Sequence, residues 1–438
     1  MSESHGVLEK TAQTCPLPRR RFLLTAGGAV GGIVLAGDKS GAAPAKKVPR
    51  TACPTNGYDQ IQPFYGLHQP GVTTPRPAAG MVVAFDVVAP TPVRLENLLR
   101  TLTERITFLM KGGPAEFPSR NPQLPPVDSG LMGPVVEPDN LTVTVGLGSS
   151  LFDNRPWLRR LKPRRLCPMT RFANDAPNPN LCHGDLSLQI CANTHMTINH
   201  ALRDIVKATT PFMVPRWKQE GSLPMVPPNP DGPTPAARNL LGFHDGTANP
   251  DTADDALMNR IVWVGKDNDE PEWCRNGTYQ VVRLIRMTVE LWDRTPLVEQ
   301  EVEVFGRRKA SGSPLSGGAE YNDPDYSGDP KGKITPLDSH IRRANPRTPG
   351  SEANLILRRP YNYSNGVFKS GQLDQGLVLI IYQADLEQGF ITVQNRLNGE
   401  ELEEYIKPFG GGYYFVPPGV RKHGDYIGQP LMEAVAGL

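Results

Sequence analysis

Three polar groups in this chain occupy settings that ask for a chemical explanation. The first lies in Gly242-Phe243-His244-Asp245-Gly246-Thr247-Ala248-Asn249-Pro250, where two glycines flank an aspartate and an Asn-Pro pair closes the run. Glycine allows conformations and close approaches barred to other residues, and the residue before proline is pushed towards extended geometry. The stretch therefore reads as a rigid irregular loop presenting Asp245; an ordinary surface turn, with Asp245 as its hydrogen-bonding residue, fits the same residues. The second group is His340, within Asp338-Ser339-His340-Ile341-Arg342-Arg343-Ala344-Asn345-Pro346-Arg347. A histidine surrounded by arginines could ligate a haem iron while the guanidinium groups neutralise propionates; a solvated basic loop is the plainer alternative. The third is Arg358, directly after the apolar Leu355-Ile356-Leu357. An isolated buried charge is too costly to persist, so this arginine is either partnered or functional.

A fourth grouping points elsewhere. His183, His195 and His200 lie near Cys182 and Cys191, and the four-residue spacing of Cys191 and His195 would suit a metal if both were helical. Cys191 instead ends a strand-like run and no third ligand is evident, which favours structural roles.

The elements that must position these groups follow from hydrophobic periodicity. Met81 to Val88 is a buried-strand run, and Val93 to Met110 has apolar residues at helical spacing, stopped by Gly112-Gly113. Strands over Leu141–Val145 and Ser187–Cys191, a helix over Thr197–Ala208 and a strand at Phe212–Val214 complete a strand–helix–strand–strand–helix–strand order, the split ferredoxin-like arrangement. The second half repeats it less clearly. Strands are expected at Ile261–Val264, Tyr279–Met287, Leu377–Tyr382 and Tyr413–Val416, with helices over Val289–Phe305 and between Asp385 and Ile406. The fold class is α+β, two similar units joined through the Asp245 loop. Residues 307–350, rich in Gly, Ser, Pro and Asp, form a long insertion of the kind that is functional or disordered.

At 438 residues the chain exceeds what one core usually supports. Its 47 basic and 45 acidic residues nearly balance, which removes any charge-based case for nucleic-acid binding. Residues 1–45 read as a targeting segment: Arg19-Arg20-Arg21-Phe22-Leu23-Leu24 precedes a glycine-rich, weakly apolar run, and Ala43-Pro44-Ala45 offers a cleavage site. This resembles a twin-arginine export signal, with Pro18 and Leu24 departing from its usual pattern. The run is too short and too rich in Gly for a membrane anchor. An extracytoplasmic protein (periplasm, cell surface or secreted) that folds before export is a candidate cofactor protein. The expected divisions are 1–45 signal, 46–77 extended lead-in, 78–240 and 241–438. Five cysteines remain beyond the signal, so one disulfide is possible but a framework is not.

Gly242-Phe243-His244-Asp245-Gly246 matches the GxxDG signature of the dye-decolorizing peroxidases, and His340 and Arg358 follow in the order and spacing of that family's proximal ligand and distal arginine. The run Gln388 to Glu400, followed by Pro408-Phe409-Gly410-Gly411-Gly412-Tyr413, resembles the family's exported branch. The likeness spans roughly Gly57 to Gly428. It implies two ferredoxin-like domains with antiparallel sheets, of the dimeric α/β-barrel type, holding one haem b per chain with His340 as iron ligand. It further implies that Asp245 moves a proton between the oxygens of hydrogen peroxide, that Arg358 stabilises the charge that develops, and that Gly246, Thr247, Ala248, Asn345, Pro346 and Arg347 line the haem. Donors would be oxidised one electron at a time. Release of iron from haem with the ring intact, linked to iron uptake, is the alternative; a haem carrier without turnover is the third. The implied partners are peroxide, reducing donors or haem as substrate, the export machinery, iron-uptake proteins and further copies of the chain. Asp385 is a candidate carboxylate behind His340. Donors too bulky to reach a buried haem would need Tyr or Trp relays, and the 12 Tyr and 5 Trp offer no ground for choosing among them.

Overall fold

The computed structural model describes residues 57–115, 123–226 and 233–437. The export signal, Cys15, Cys53 and the first part of the lead-in lie outside these residues.

Eight principal strands carry the architecture: β1 (Ala79–Val87), β2 (Thr142–Gly148), β3 (Leu186–Ala192), β4 (Met213–Ser222), β5 (Thr278–Met287), β6 (Tyr361–Val367), β7 (Leu373–Gln383) and β8 (Ile406–Val416). The first four pair antiparallel in the order β2-β3-β1-β4, and the last four in the order β8-β5-β7-β6. Each set has the ferredoxin-like order expected of a strand–helix–strand–strand–helix–strand unit. The two sets join at both edges, β8 to β2 through Tyr414 opposite Gly148 and β4 to β6 through Ser222 opposite Asn362. With β5 also paired to β7, the eight strands close into a barrel, which leaves little sheet edge to protect.

Strand alternation divides the side chains between two cores. Val82, Ala84, Val282, Leu284, Ile380 and Tyr382 point into the barrel. Met81, Val83 and Phe85 point outwards against two helices, α1 (Pro92–Lys111) and α2 (His195–Thr209). Helix α1 begins where the periodicity predicts. Thr91 Oγ1 accepts from the Arg94 amide, Pro92 takes the first helical position, and Gly112, at φ +71°, ends it. Its fully buried Leu95, Leu98, Leu99 and Leu102 each contribute about 1.5–3 kcal/mol of burial.

The second half lacks such helices. Ile285, Met287, Leu377 and Leu379 face outwards beneath short pieces only: helices at Val289–Trp292, His340–Ala344 and Thr392–Leu397 and π-turns at Glu299–Phe305 and Glu387–Ile391. That thin cover leaves room for a cavity.

Three expectations are corrected. Ile261–Val264 is not a strand; it closes the helix Asp255–Ile261, and the Val262 and Trp263 amides both donate to Met258 O. The helix over Val289–Phe305 breaks after Trp292, because Pro296 cannot continue the hydrogen-bond ladder. Strand β6 went unread because its buried Tyr361 and Tyr363 are separated and followed by polar residues. The described part of the lead-in is also more than a tether: Gln69 bonds to both Val145 N and Val145 O, Thr144 Oγ1 donates to Pro70 O, and Val72 is buried in the barrel core. Cys167, Cys182, Cys191 and Cys274 are free thiols. Among the described residues no helix is long and apolar enough to cross a membrane.

Gly411 follows the bulge that β8 makes between Pro408 and Gly410. Its φ is +117°, and an added Cβ would lie 2.0 Å from Val282 O. Gly411→Ala is expected to cost about 2–4 kcal/mol in urea unfolding, a backbone clash added to an unfavourable conformation.

Candidate active site

The loop carrying Asp245 is shaped by its own backbone. Gly242 and Gly246 have φ of +84° and +118°, values that favour glycine. Asn239 Oδ1 accepts from the Leu241 and Phe243 amides, and the Asp245 amide donates to Ala237 O at 2.8 Å. Asn249 then clamps the opposite segment: its Oδ1 accepts from Arg358 N at 2.9 Å and its Nδ2 donates to Arg358 O at 3.0 Å. Arg358 sits in a two-residue strand on the edge of β7, opposite Ile381. Arg358 Nη1 donates to Asp245 Oδ1 at 2.8 Å. Among the described residues nothing donates to Asp245 Oδ2, so one carboxylate oxygen is held and the other is free for a ligand. Asn249→Ala removes both backbone hydrogen bonds and is expected to cost about 1–3 kcal/mol of stability by thermal unfolding.

His340 opens the short helix His340–Ala344. The long insertion that delivers it is ordered by one buried carboxylate. Asp329 accepts from the Lys333, Ile334 and Thr335 amides and from Arg342, whose guanidinium also donates to Asp329 O and Thr335 O. The Thr335 amide foremost, then those of Ile334 and Lys333 and the Arg342 charge, hold the Asp329 carboxyl below its usual range against the opposing effect of burial. Its contribution is therefore complete above the ordinary aspartate value of 3.8 and is lost as pH falls through the lowered one. Acidification below pH 3.8 is expected to lower hydrogen-exchange protection, relative to the intrinsic rate at each pH, at residues 333–335, and Asp329→Asn to lower it at neutral pH.

Behind the imidazole stands Glu400, whose buried Oε2 lies 2.7 Å from His340 Nδ1. A carboxylate can only accept, so Nδ1 carries a proton, and in the neutral ring Nε2 then keeps its lone pair for a ligand. Burial works to lower the His340 pKa, but the Glu400 charge and hydrogen bond more than offset it and the net direction is upward. The expectation that Asp385 plays this part is corrected. Asp385 pairs with Arg165 Nε at 2.7 Å and accepts from the Glu387 and Gln388 amides, so it is already committed.

Asp245, Arg358 and His340 line one cavity with about 1560 Å³ of empty space, counting its open mouth. Thr247, Ala248, Asn345 and Arg347 line it too; Gly246 and Pro346 do not. One wall is the apolar outer face of β5 and β7, and another is formed by Phe243 and Phe305, stacked with centroids 3.9 Å apart. Arg307 and Tyr326 also reach it, and Arg347 Nε and Tyr326 Oη are buried without hydrogen-bond partners among the described residues. Sequence reasoning missed Glu400 in this role and the clamp made by Asn249. The only signal was carboxylate or amide chemistry at long separation, which a single sequence does not resolve. His183, His195 and His200 take no part. His200 pairs with Asp128, and among the described residues no three His, Cys, Asp or Glu side chains gather as metal ligands.

A barrel of two ferredoxin-like units, with a histidine–carboxylate couple and an aspartate–arginine pair on one apolar cavity, has the architecture that the resemblance in the sequence implies, and comparison with known proteins shows the family. Residues 69–222 match the family description "Dyp-type peroxidase, N-terminal" and residues 236–421 match "Dyp-type peroxidase, C-terminal". The chain belongs to the Dyp-type peroxidase family. Curated relatives named Deferrochelatase include one from Yersinia pestis, 53% identical over 95% of this chain and 95% of the relative, and one from Escherichia coli (strain K12), 53% identical over 95% of this chain and 97% of the relative. Among solved structures, a DyP-type peroxidase from Cellulomonas bogoriensis superposes with a TM-score of 0.75 at 35% identity, covering 86% of this chain and 99% of that one. Ferric DtpA from Streptomyces lividans gives 0.76 at 35%, covering 87% and 100%.

Proposed function

We propose that the cavity holds one haem b with His340 Nε2 as iron ligand, and that the protein reduces hydrogen peroxide while oxidising donors by one-electron steps. The observation that carries this reading is the meeting of two couples, His340–Glu400 and Asp245–Arg358, on one apolar cavity. The residues suit the group. Apolar walls fit a flat macrocycle, and the unpartnered Arg347 Nε and Tyr326 Oη, with Arg307, fit its carboxylates.

Haem, when bound, supplies the redox-active iron that peroxide reduction requires. Glu400 fixes the His340 ring and strengthens it as a ligand. Asp245 Oδ2 accepts the proton from one peroxide oxygen and returns it to the other, which leaves as water. Arg358 holds Asp245 in place through Oδ1, and its charge stabilises the negative charge that develops as the O–O bond breaks. The apolar walls exclude competing water. Mixing the haem-loaded protein with peroxide in a stopped-flow spectrometer is expected to change the Soret band rapidly, and Arg358→Ala to slow that change about 10²–10³-fold. No change in the wild type would contradict the reading.

A second reading is favoured by the relatives named Deferrochelatase: removal of iron from haem with the ring intact, in the service of iron uptake. Protoporphyrin fluorescence appearing after haem addition would support it. A carrier without turnover would show neither signal. We further propose that residues 1–45 direct export by the twin-arginine machinery to an extracytoplasmic site, that residues 78–240 and 241–438 are the two domains, and that copies self-associate.

A further inference from the structure

A second, smaller pocket lies against the clamp that Asn249 makes on Arg358. It has about 520 Å³ of empty space, counting its open mouth, and is lined by three stretches: Thr73 to Arg76, Asn249 to Thr252, and Leu357 to Arg359. Its charge is unbalanced. Arg76, Arg358 and Arg359 all line it, yet among the described residues only Arg358 forms an ion pair, with Asp245. Arg76 donates to Pro360 O at 2.7 Å and Arg359 to Thr74 O, and neither peptide carbonyl carries a formal charge. The Asp245 carboxylate also acts on Arg76, but it is bonded to Arg358, so three guanidinium groups draw on one carboxylate. Burial foremost, joined by the Arg359 and Arg358 charges, lowers the Arg76 pKa against the pull of Asp245. Asp251 lines the pocket too, but it is exposed and its Oδ1 accepts from the Ala253 amide.

The buried arginine indicates what is missing. Arg359 is 3% exposed, and its Nε and Nη2 are buried with no hydrogen-bond partner among the described residues. These two N–H groups share one edge of the guanidinium plane, the edge that donates in parallel to both oxygens of a carboxylate or phosphate. A buried charge left unpaired is costly, and a bound anion removes that cost. If these side chains only filled space, apolar ones would serve as well or better. Arg76 is half-buried, so an anion arriving from solvent meets it first.

We propose that Arg76 and Arg359 bind a small oxyanion, a carboxylate or a phosphate, in this pocket. The site is distinct from the cavity of His340: of the residues that line the smaller pocket, only Arg358 also lines the larger one. The proposal therefore does not depend on haem. Arg359 adjoins Arg358 in the chain, so a bound oxyanion brings negative charge next to the residue that holds Asp245. Oxyanions in the surroundings thereby act on the setting of that pair.

The test follows the transverse relaxation of carboxyl-labelled acetate and of inorganic phosphate in the presence of the full chain, at fixed ionic strength in chloride. Wild type is compared with Arg76→Gln, Arg359→Gln and a control, Arg164→Gln, whose arginine side chain is 61% exposed. Saturable broadening of at least one of the two anions is expected in the wild type and the control. Affinity should be at least about tenfold weaker in Arg76→Gln and Arg359→Gln, the loss of a charge-assisted contact. The same anion should raise the melting temperature of the wild type but not of Arg76→Gln. Should Arg359→Gln fail to fold, Arg76→Gln decides. No saturable broadening in the wild type overturns the proposal, as does equal affinity in wild type and folded Arg76→Gln. Chloride binding as tightly as either probe overturns the oxyanion assignment.

Discussion

Asp245→Ala is expected to slow the second-order reaction with hydrogen peroxide by about 10²–10⁴-fold while haem binding is retained, because on the proposed mechanism Asp245 is the group that moves the peroxide proton. The geometry separates this role from a structural one. Arg358 holds only Oδ1, and the Asp245 backbone is fixed independently by the hydrogen bond to Ala237 O. Asp245→Asn keeps the shape and the contact with Arg358 but cannot accept the proton, so it should lose nearly as much. Near-wild-type stopped-flow rates in Asp245→Asn would show that Asp245 only positions Arg358.

Glu400→Gln is expected to weaken haem affinity or turnover about 10–100-fold, the usual effect of removing the acceptor behind a metal-ligating histidine. Glutamine can still accept from Nδ1–H through its amide oxygen, so the ring stays placed while the negative charge that strengthens Nε2 is gone. Asp385→Asn should leave haem affinity unchanged, since Asp385 is engaged with Arg165. Haem titration of the two apo-variants side by side checks both expectations.

Much of the fold was legible because the first half follows simple periodicities. Leu95, Leu98, Leu99, Leu102 and Ile106 define one helical face, and Gly112 ends it. The second half was harder because its cover over β5 and β7 is broken into short turns. Pro296 and the π-turns interrupt any 3.6-residue repeat, and β6 is too polar to read as a strand. Asp245, His340 and Arg358 could be picked out because each combines reactive chemistry with an unusual local setting, and the structure brings all three to one cavity. Glu400 and Asn249 could not. Their significance comes from contacts across 60 and 109 residues of sequence, and such contacts are made by the folded barrel rather than by local spacing. The same holds for Asp329, one aspartate among many in a loop-like segment until three amides and Arg342 converge on it.

Everything proposed for this cavity depends on its binding haem through His340 Nε2. The most direct measurement is haem titration of the apo-protein, wild type beside His340→Ala, followed by the ferric absorption spectrum. One haem per chain is expected in the wild type, with the spectrum of a histidine-ligated ferric haem, and loss of that spectrum with much weaker binding in His340→Ala. Equal affinity and an unchanged ferric spectrum in His340→Ala would contradict it.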